Sequence, residues 1–155
     1  MMKMKLNDIV VAYQLLSHII FKTEDAELSK GTKLKIIKNK YNLLNIVHDY
    51  EAYENSVKES FINGTRYNIL NDKLDKTEEE KQELIDLTYK LNLEVQDALI
   101  ERLDSEIVLE NDFEYFTKEE FFEICNTSLI AQVIGDAKLT EDEFINYIFI
   151  YLVKE

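Results

Sequence analysis

The sequence predicts a mainly α fold: an antiparallel hairpin of two long helices, with an N-terminal helix before it and a small α+β C-terminal region after it. Three observations carry that expectation. The chain has no proline and only 3 glycines in 155 residues, and those two residue types punctuate irregular backbone. Apolar residues recur at steps of three and four through much of residues 1–104, the period of an amphipathic helix. The helix-start pattern Thr-x-x-Glu occurs at Thr77 to Glu80, Thr117 to Glu120 and Thr140 to Glu143. In such a box the Thr hydroxyl accepts a first-turn N–H while the Glu carboxylate reaches back to the Thr N–H.

After a short basic lead at Lys3 and Lys5, the residues Leu6, Ile9, Val10, Tyr13, Leu16 and Ile20 form the stripe of a first helix, with Asn7 or Asp8 as its cap. Thr23 to Ser29 is a polar break. From about Gly31 the helical period resumes, and Leu43, Val47, Tyr50, Val57 and Phe61 share one stripe that Glu54 interrupts. Asn63-Gly64 then supplies the left-handed position that stops a helix or turns the chain. Residues 65–76 are the least regular stretch, with Tyr67, Ile69, Leu70 and Leu74 suited to a short extended piece. The first Thr-x-x-Glu box opens a long helix whose stripe is Leu84, Leu87, Leu91, Val95 and Ala98. Helices of about 30 and about 25 residues joined by a modest connection pack as an antiparallel hairpin.

Near Asp104 the period changes. Glu106 to Glu110 is short, β-branched and bounded by polar residues, and reads as a strand. The second box starts a short helix carrying Phe121, Phe122, Ile124 and Cys125. Ser128 to Ile134 forms another, stopped at Gly135, and the third box starts a final helix. Phe144 to Val153 is rich in Ile, Phe and Tyr, so a strand is the alternative for that segment. A single domain over residues 1–155 is expected, with a helical-hairpin part at 1–104 and a small mixed part at 105–155.

The apolar run from Phe144 to Val153 is about half the roughly 20 residues needed to span a bilayer, and Asn146 interrupts it. The N-terminal stretch has no small-residue cleavage site, so no signal peptide is expected. One cysteine, Cys125, makes no internal disulfide, which fits a reducing cytosol or a particle assembled there. The net charge of −13 is unevenly spread. Residues 1–62 hold nine Lys against eight Asp and Glu, a balance of +1, and residues 63–155 hold nine Lys and Arg against 23 Asp and Glu, a balance of −14. An acidic half of that strength is repelled by nucleic acid and by anionic membrane, and is suited to a basic protein surface.

No constellation reads as an active site. Gly135 to Phe144 imitates the end of a calcium loop, but the early ligand positions fall on Gln132, Ile134 and Asp136 and the required glycine falls on Ala137. Phe116 to Glu120 fails in the same way, with Leu109 and Phe113 where oxygen ligands belong. His18 and His48 lie on different helices without a carboxylate or second His one turn away, so neither metal nor cofactor is expected. Cys125 sits between Ile124 and Asn126 with no cation beside it in sequence, and reads as a small core residue.

Lys30 to Lys40 holds five lysines and no acid in 11 residues. Lys35 and Lys38 fall on the polar helix face with Asn39 and Asn42, and Lys33 and Lys40 fall inside the apolar arc between Ile36, Ile37 and Leu44. The plainer reading has their stems along the core edge and their ammonium groups paired with the acidic second half. The alternative is a docking patch made of Lys33, Lys35, Lys38 and Lys40, for nucleic acid or an acidic partner. The C-terminal segment is apolar on every side of a helix or a strand, whereas a surface element is apolar on one face only. Its aromatic members Tyr147, Phe149 and Tyr151 are therefore candidate contacts with a partner chain.

The opening Lys3-Met4-Lys5-Leu6-Asn7-Asp8, followed by Tyr13 and Leu16 in a first helix, resembles a group of small helical proteins encoded among the virion structural genes of tailed bacteriophages. The likeness extends through most of the chain as an order of parts: a basic lead, an amphipathic helix, a charged helical hairpin, then a short apolar strand like Ile107-Val108-Leu109 leading to a Thr-x-x-Glu helix. The C-terminus here is longer and more aromatic. What the resemblance implies is a non-enzymatic structural or assembly role in a virion, or in the host cytoplasm while one is built, through docking to other virion proteins in a multi-copy assembly. It carries over no catalytic residue. A reading of another class, resting on the acidic second half, is a helical inhibitor or DNA mimic that blocks a host nucleic-acid-binding protein.

Overall fold

The computed structural model describes residues 1–19, 28–125, 133–134, 137–138 and 140–154. Along them run β1 (Lys3–Lys5), α1 (Leu6–His18), α2 (Lys30–Ile62), α3 (Arg66–Asp72), α4 (Glu78–Leu103), β2 (Glu106–Val108), α5 (Lys118–Cys125), β3 (Val133–Ile134), β4 (Ala137–Lys138) and α6 (Glu141–Leu152). The fold is mainly α. Its residues gather into two compact units, Met1–Val47 with Glu106–Glu155, and His48–Ser105. The long helix α2 gives its first half to one unit and its second half to the other.

In the first unit, β1 and β2 pair antiparallel, with Lys3 opposite Val108, Met4 opposite Ile107 and Lys5 opposite Glu106. Alternation puts Met4 into the core and leaves Lys3 and Lys5 outside. The basic lead is thus a strand, which its three residues are too short to announce by themselves. The expected strand near Ile107 is present as β2. Because β1 holds Lys5 extended, α1 begins at once at Leu6, and neither Asn7 nor Asp8 is its cap. The N-cap position is Lys5, without a side-chain hydrogen bond.

One apolar cluster forms the core of this unit. Leu15, Leu16 and Ile9 of α1, Ile36 and Leu43 of α2, Phe116, Ile124 of α5, and Phe144, Ile148 and Leu152 of α6 are all essentially inaccessible. The three α6 residues recur at i, i+4 and i+8, the stripe of a helix rather than the alternation of a strand. Thr140 caps that helix by accepting the Glu143 N–H at 3.2 Å. The chain after α6 is tied back to the segment before α5: the Phe116 N–H donates to Leu152 O at 2.8 Å and the Lys154 N–H to Phe116 O at 3.2 Å.

In the second unit the long helices pair as expected. Tyr53 of α2 meets Arg102 of α4, Arg66 of α3 meets Glu83, and Lys73 meets Glu80. Contacts that descend α4 as the chain ascends define an antiparallel arrangement. Thr77 and Glu80 form the complete reciprocal capping box at the start of α4. Gly64, at φ +73°, is the left-handed residue that ends α2, and Thr65 then caps α3 by accepting the Asn68 N–H. Residues 66–72 are therefore helical rather than extended. Half-buried Tyr67 and buried Leu70 share a face three residues apart, whereas the alternation of a strand would have buried Ile69, which is 60% exposed.

Of the short helix expected over Ser128 to Ile134, residues 128–132 lie outside the described residues, as does Gly135. Val133 and Ile134 form β3, paired antiparallel with β4, in keeping with the β-branched preference for strands. The polar break at residues 23–27, the position of Ile20 and the calcium-loop positions Gln132 and Asp136 also lie outside them.

Candidate protein-docking surface

Two lysines of the basic patch of α2, Lys35 and Lys38, are engaged within the chain. At the start of the helix the Ser29 N–H and the Thr32 hydroxyl each donate to the Glu123 carboxylate, both at 2.7 Å. One turn on, Lys35 Nζ donates to Glu120 Oε1 at 2.7 Å and to Tyr115 O at 3.3 Å, and stands 5.7 Å from the Phe116 ring centroid. Lys38 pairs with Glu114 at 2.6 Å. Asn39 is fully buried; its Nδ2 donates to Glu114 O at 2.8 Å and its Oδ1 accepts the Glu114 N–H at 2.9 Å. The spacing 32, 35, 39 places these groups on one α2 face, and the acidic second half of the chain supplies their partners. Lys33 and Lys40 are half-buried on the same helix.

Electrostatics follow from that seam. Burial acts to raise the carboxyl of Glu120, but hydrogen bonds from Lys35 and the Thr117 N–H outweigh it and hold it below the usual carboxylate range. Burial likewise opposes ionisation of Glu123, and the Thr32 and Ser29 donors overcome it. Burial alone pushes the half-buried Cys125 thiol upward, away from a reactive thiolate. His18 is half-buried and His48 exposed. Among the described residues, no group of three or more His, Cys, Asp or Glu side chains is placed to hold a metal ion, and no helix is long and apolar enough to cross a membrane.

The aromatic residues of α6 divide. Tyr151 is half-buried, packs on the core and stacks with Tyr147 at 6.0 Å between ring centroids. Phe149 is 46% exposed and Ile150 59%, with Tyr147 at the margin of the same outward side. Phe149 meets Phe121 of α5 edge-on at 5.4 Å, and Phe121 in turn meets Phe122 at 5.9 Å. Phe122 itself is 61% exposed. The outcome is an aromatic surface spanning α5 and α6, continuous through Phe121. The candidate contacts named from the sequence include Tyr147 and Phe149 but not the exposed Phe122 and Ile150. The pair Phe121-Phe122 held the signal, since neighbours point 100° apart on a helix and the single buried stripe of α5, at Ile124, turns Phe122 outward.

Further apolar residues are exposed: Leu34, Tyr41 and Ile37 on α2, the last of them expected in the apolar arc, and Ile85, Tyr89, Leu93 and Ile100 on α4. Each set recurs at helical steps on a face of its own, offset from the stripe that marks the core. Ala98, expected on the buried α4 stripe, is exposed, and Leu99 takes the buried place. No protein-family model, no curated protein and no solved structure matches this chain.

Proposed function

We propose that this protein is a non-enzymatic structural or assembly component of a tailed-phage virion, acting by docking to other virion proteins. The observation that carries the docking chemistry is the aromatic surface of α5 and α6, where exposed Phe122 and Phe149 both meet Phe121, with Ile150 exposed further round α6. Contiguous exposed aromatic side chains are the usual anchors of protein interfaces. The virion setting rests on the resemblance in the order of parts. The seam from Thr32 to Asn39 holds the first turns of α2 against α5 and the segment that leads into it, and so steadies the scaffold that presents those rings.

The test is composition of purified particles together with a paired variant. The protein should occur at stoichiometric copy number in virions, and Phe122→Asp with Phe149→Asp should abolish incorporation while circular dichroism and the melting midpoint stay near wild type. Both positions are exposed enough to accept a carboxylate without unfolding the core. Absence from particles, with co-purification of a basic host protein, would overturn the virion reading in favour of an inhibitor. Normal incorporation of the double variant would move the interface elsewhere.

A further inference from the structure

The outward face of α4 carries a second pattern, separate from the α5–α6 surface and independent of the reading built on it. Ile85, Tyr89, Leu93 and Ile100 are 61%, 69%, 45% and 66% exposed. At 100° per residue they fall within an arc of roughly 80° that runs about 22 Å along the helix axis. The buried residues Val95 and Leu99, with half-buried Leu84 and Leu91, occupy a different arc of roughly 80°, centred about 120° away round the helix. An amphipathic helix normally shows water a polar face, so α4 has two apolar faces and only one is occupied within its own unit.

The flanks of the outward stripe differ in charge. Glu79, Asp86, Asp97 and Glu101 fall together in roughly the adjacent 60° of arc, on one side of it. Glu83 and Glu94 continue the band, paired with Arg66 and Lys90. Among the described residues Glu79, Asp97 and Glu101 have no ion-pair partner, and Asp86 accepts only the Gln82 amide, at 3.1 Å. On the other side lie Lys81, Thr88 and Asn92. An apolar strip with a one-sided row of uncompensated carboxylates states the chemistry of its complement.

We propose that this face of α4 is the docking site for a basic amphipathic helix of another protein. Its apolar residues would seat on Ile85, Tyr89, Leu93 and Ile100, and its Lys or Arg side chains would meet Glu79, Asp86, Asp97 and Glu101. Helix-on-helix docking through i, i+4 anchors is a common recognition mode, and opposite charge along one flank sets orientation and speeds encounter. A second copy of this chain fits poorly. Antiparallel pairing about a two-fold axis brings like flanks together and sets the acidic rows against each other. An anionic lipid surface is repelled by the same row.

The test uses the full-length protein and two labelled helical peptides of about 18 residues, with Leu at i, i+3, i+4 and i+7 and either Lys or Glu on the flanks. The Lys peptide should bind, more weakly as salt rises, and the Glu peptide should not. Tyr89→Asp with Ile100→Asp should weaken binding at least tenfold. Asp97→Lys with Glu101→Lys should lose the Lys peptide and gain the Glu peptide, which no nonspecific attraction to an acidic protein would reproduce. The Phe122→Asp, Phe149→Asp protein should bind the Lys peptide as wild type does, so this inference and the α5–α6 reading fail separately. Equal binding of both peptides, or unchanged affinity after charge reversal, would overturn it. So would dimerisation, seen by sedimentation, that Tyr89→Asp abolishes.

Discussion

Asn39 and Asn42 are near neighbours on α2 with opposite energetic positions. Asn39 is fully buried and pairs both amide ends with the backbone of Glu114. Asn42 is half-buried, and its Nδ2 is the one buried side-chain polar atom without a partner among the described residues. A buried group left unpaired costs about 1–3 kcal/mol, whereas removing a group that was never paired relieves a penalty. Asn39→Ala strands a donor and an acceptor and should lower stability by about 2–3 kcal/mol. Asn42→Ala should stay within about 0.5 kcal/mol of wild type. Urea melts with unchanged slope would read both, and equal losses would mean that the two-point bond to Glu114 contributes nothing of its own. Both residues read as polar-face positions in the sequence. The covering segment that buries one of them comes from more than 70 positions away.

At the scale of elements, α6 separates the two apolar roles that its sequence mixes. Phe144, Ile148 and Leu152 face the core, and Ile150, two residues from Ile148, faces solvent. Ile148→Ala should cost about 2–4 kcal/mol through lost burial and an unfilled cavity, and Ile150→Ala should cost no more than about 0.5 kcal/mol. Thermal midpoints of the two variants decide it: similar losses would place both in the core and remove Ile150 from any docking surface. The start of the helix was legible in Thr140 and the three acids of the first turn, while a segment apolar on every side left a strand open until the core took the i, i+4, i+8 stripe. The stretch 65–76 was misread for the complementary reason. Its four apolar residues fit a short strand, but the Thr65 hydroxyl caps a helix and only Tyr67 and Leu70 find packing.

For the whole molecule, the surplus of carboxylates makes stability depend on acid. The carboxyl of Glu80 is held down to about 2, first by the hydrogen bond from Lys73 and then by the Thr77 N–H. Arg66 lowers Glu83 through its bidentate hydrogen bonds. A carboxyl that binds its proton less readily when folded leaves the unfolded state holding more protons between the ordinary value of 4.5 and about 2. The stabilisation is therefore complete above that interval and is lost as the pH falls through it. Thermal midpoints should drop steadily below about pH 4.5, and Glu80→Gln should lower the midpoint at neutral pH while making the acid drop shallower. A parallel acid limb in wild type and variant would show that the Lys73–Glu80–Thr77 cluster is not what titrates.

Local chemistry by itself determined the helices. Period, capping boxes and the Asn63-Gly64 stop act over a few residues, and they are the reason that α1, α2, α4, α5 and α6 were legible together with the hairpin of α2 and α4. The pairing of β1 with β2 joins Lys3–Lys5 to Glu106–Val108 across about a hundred positions, and no short window of sequence contains both halves. The fate of the lysines was decided in the same way: α2 places Lys35 and Lys38 on one face, but Glu120 and Glu114 reach them only because the chain folds back. The exposed stripe of α4 is the sharpest case. Two apolar faces on one helix are visible in the sequence, and which of them the core takes depends on where α2 and α3 pack, because burial is a property of the partner surface as much as of the residue.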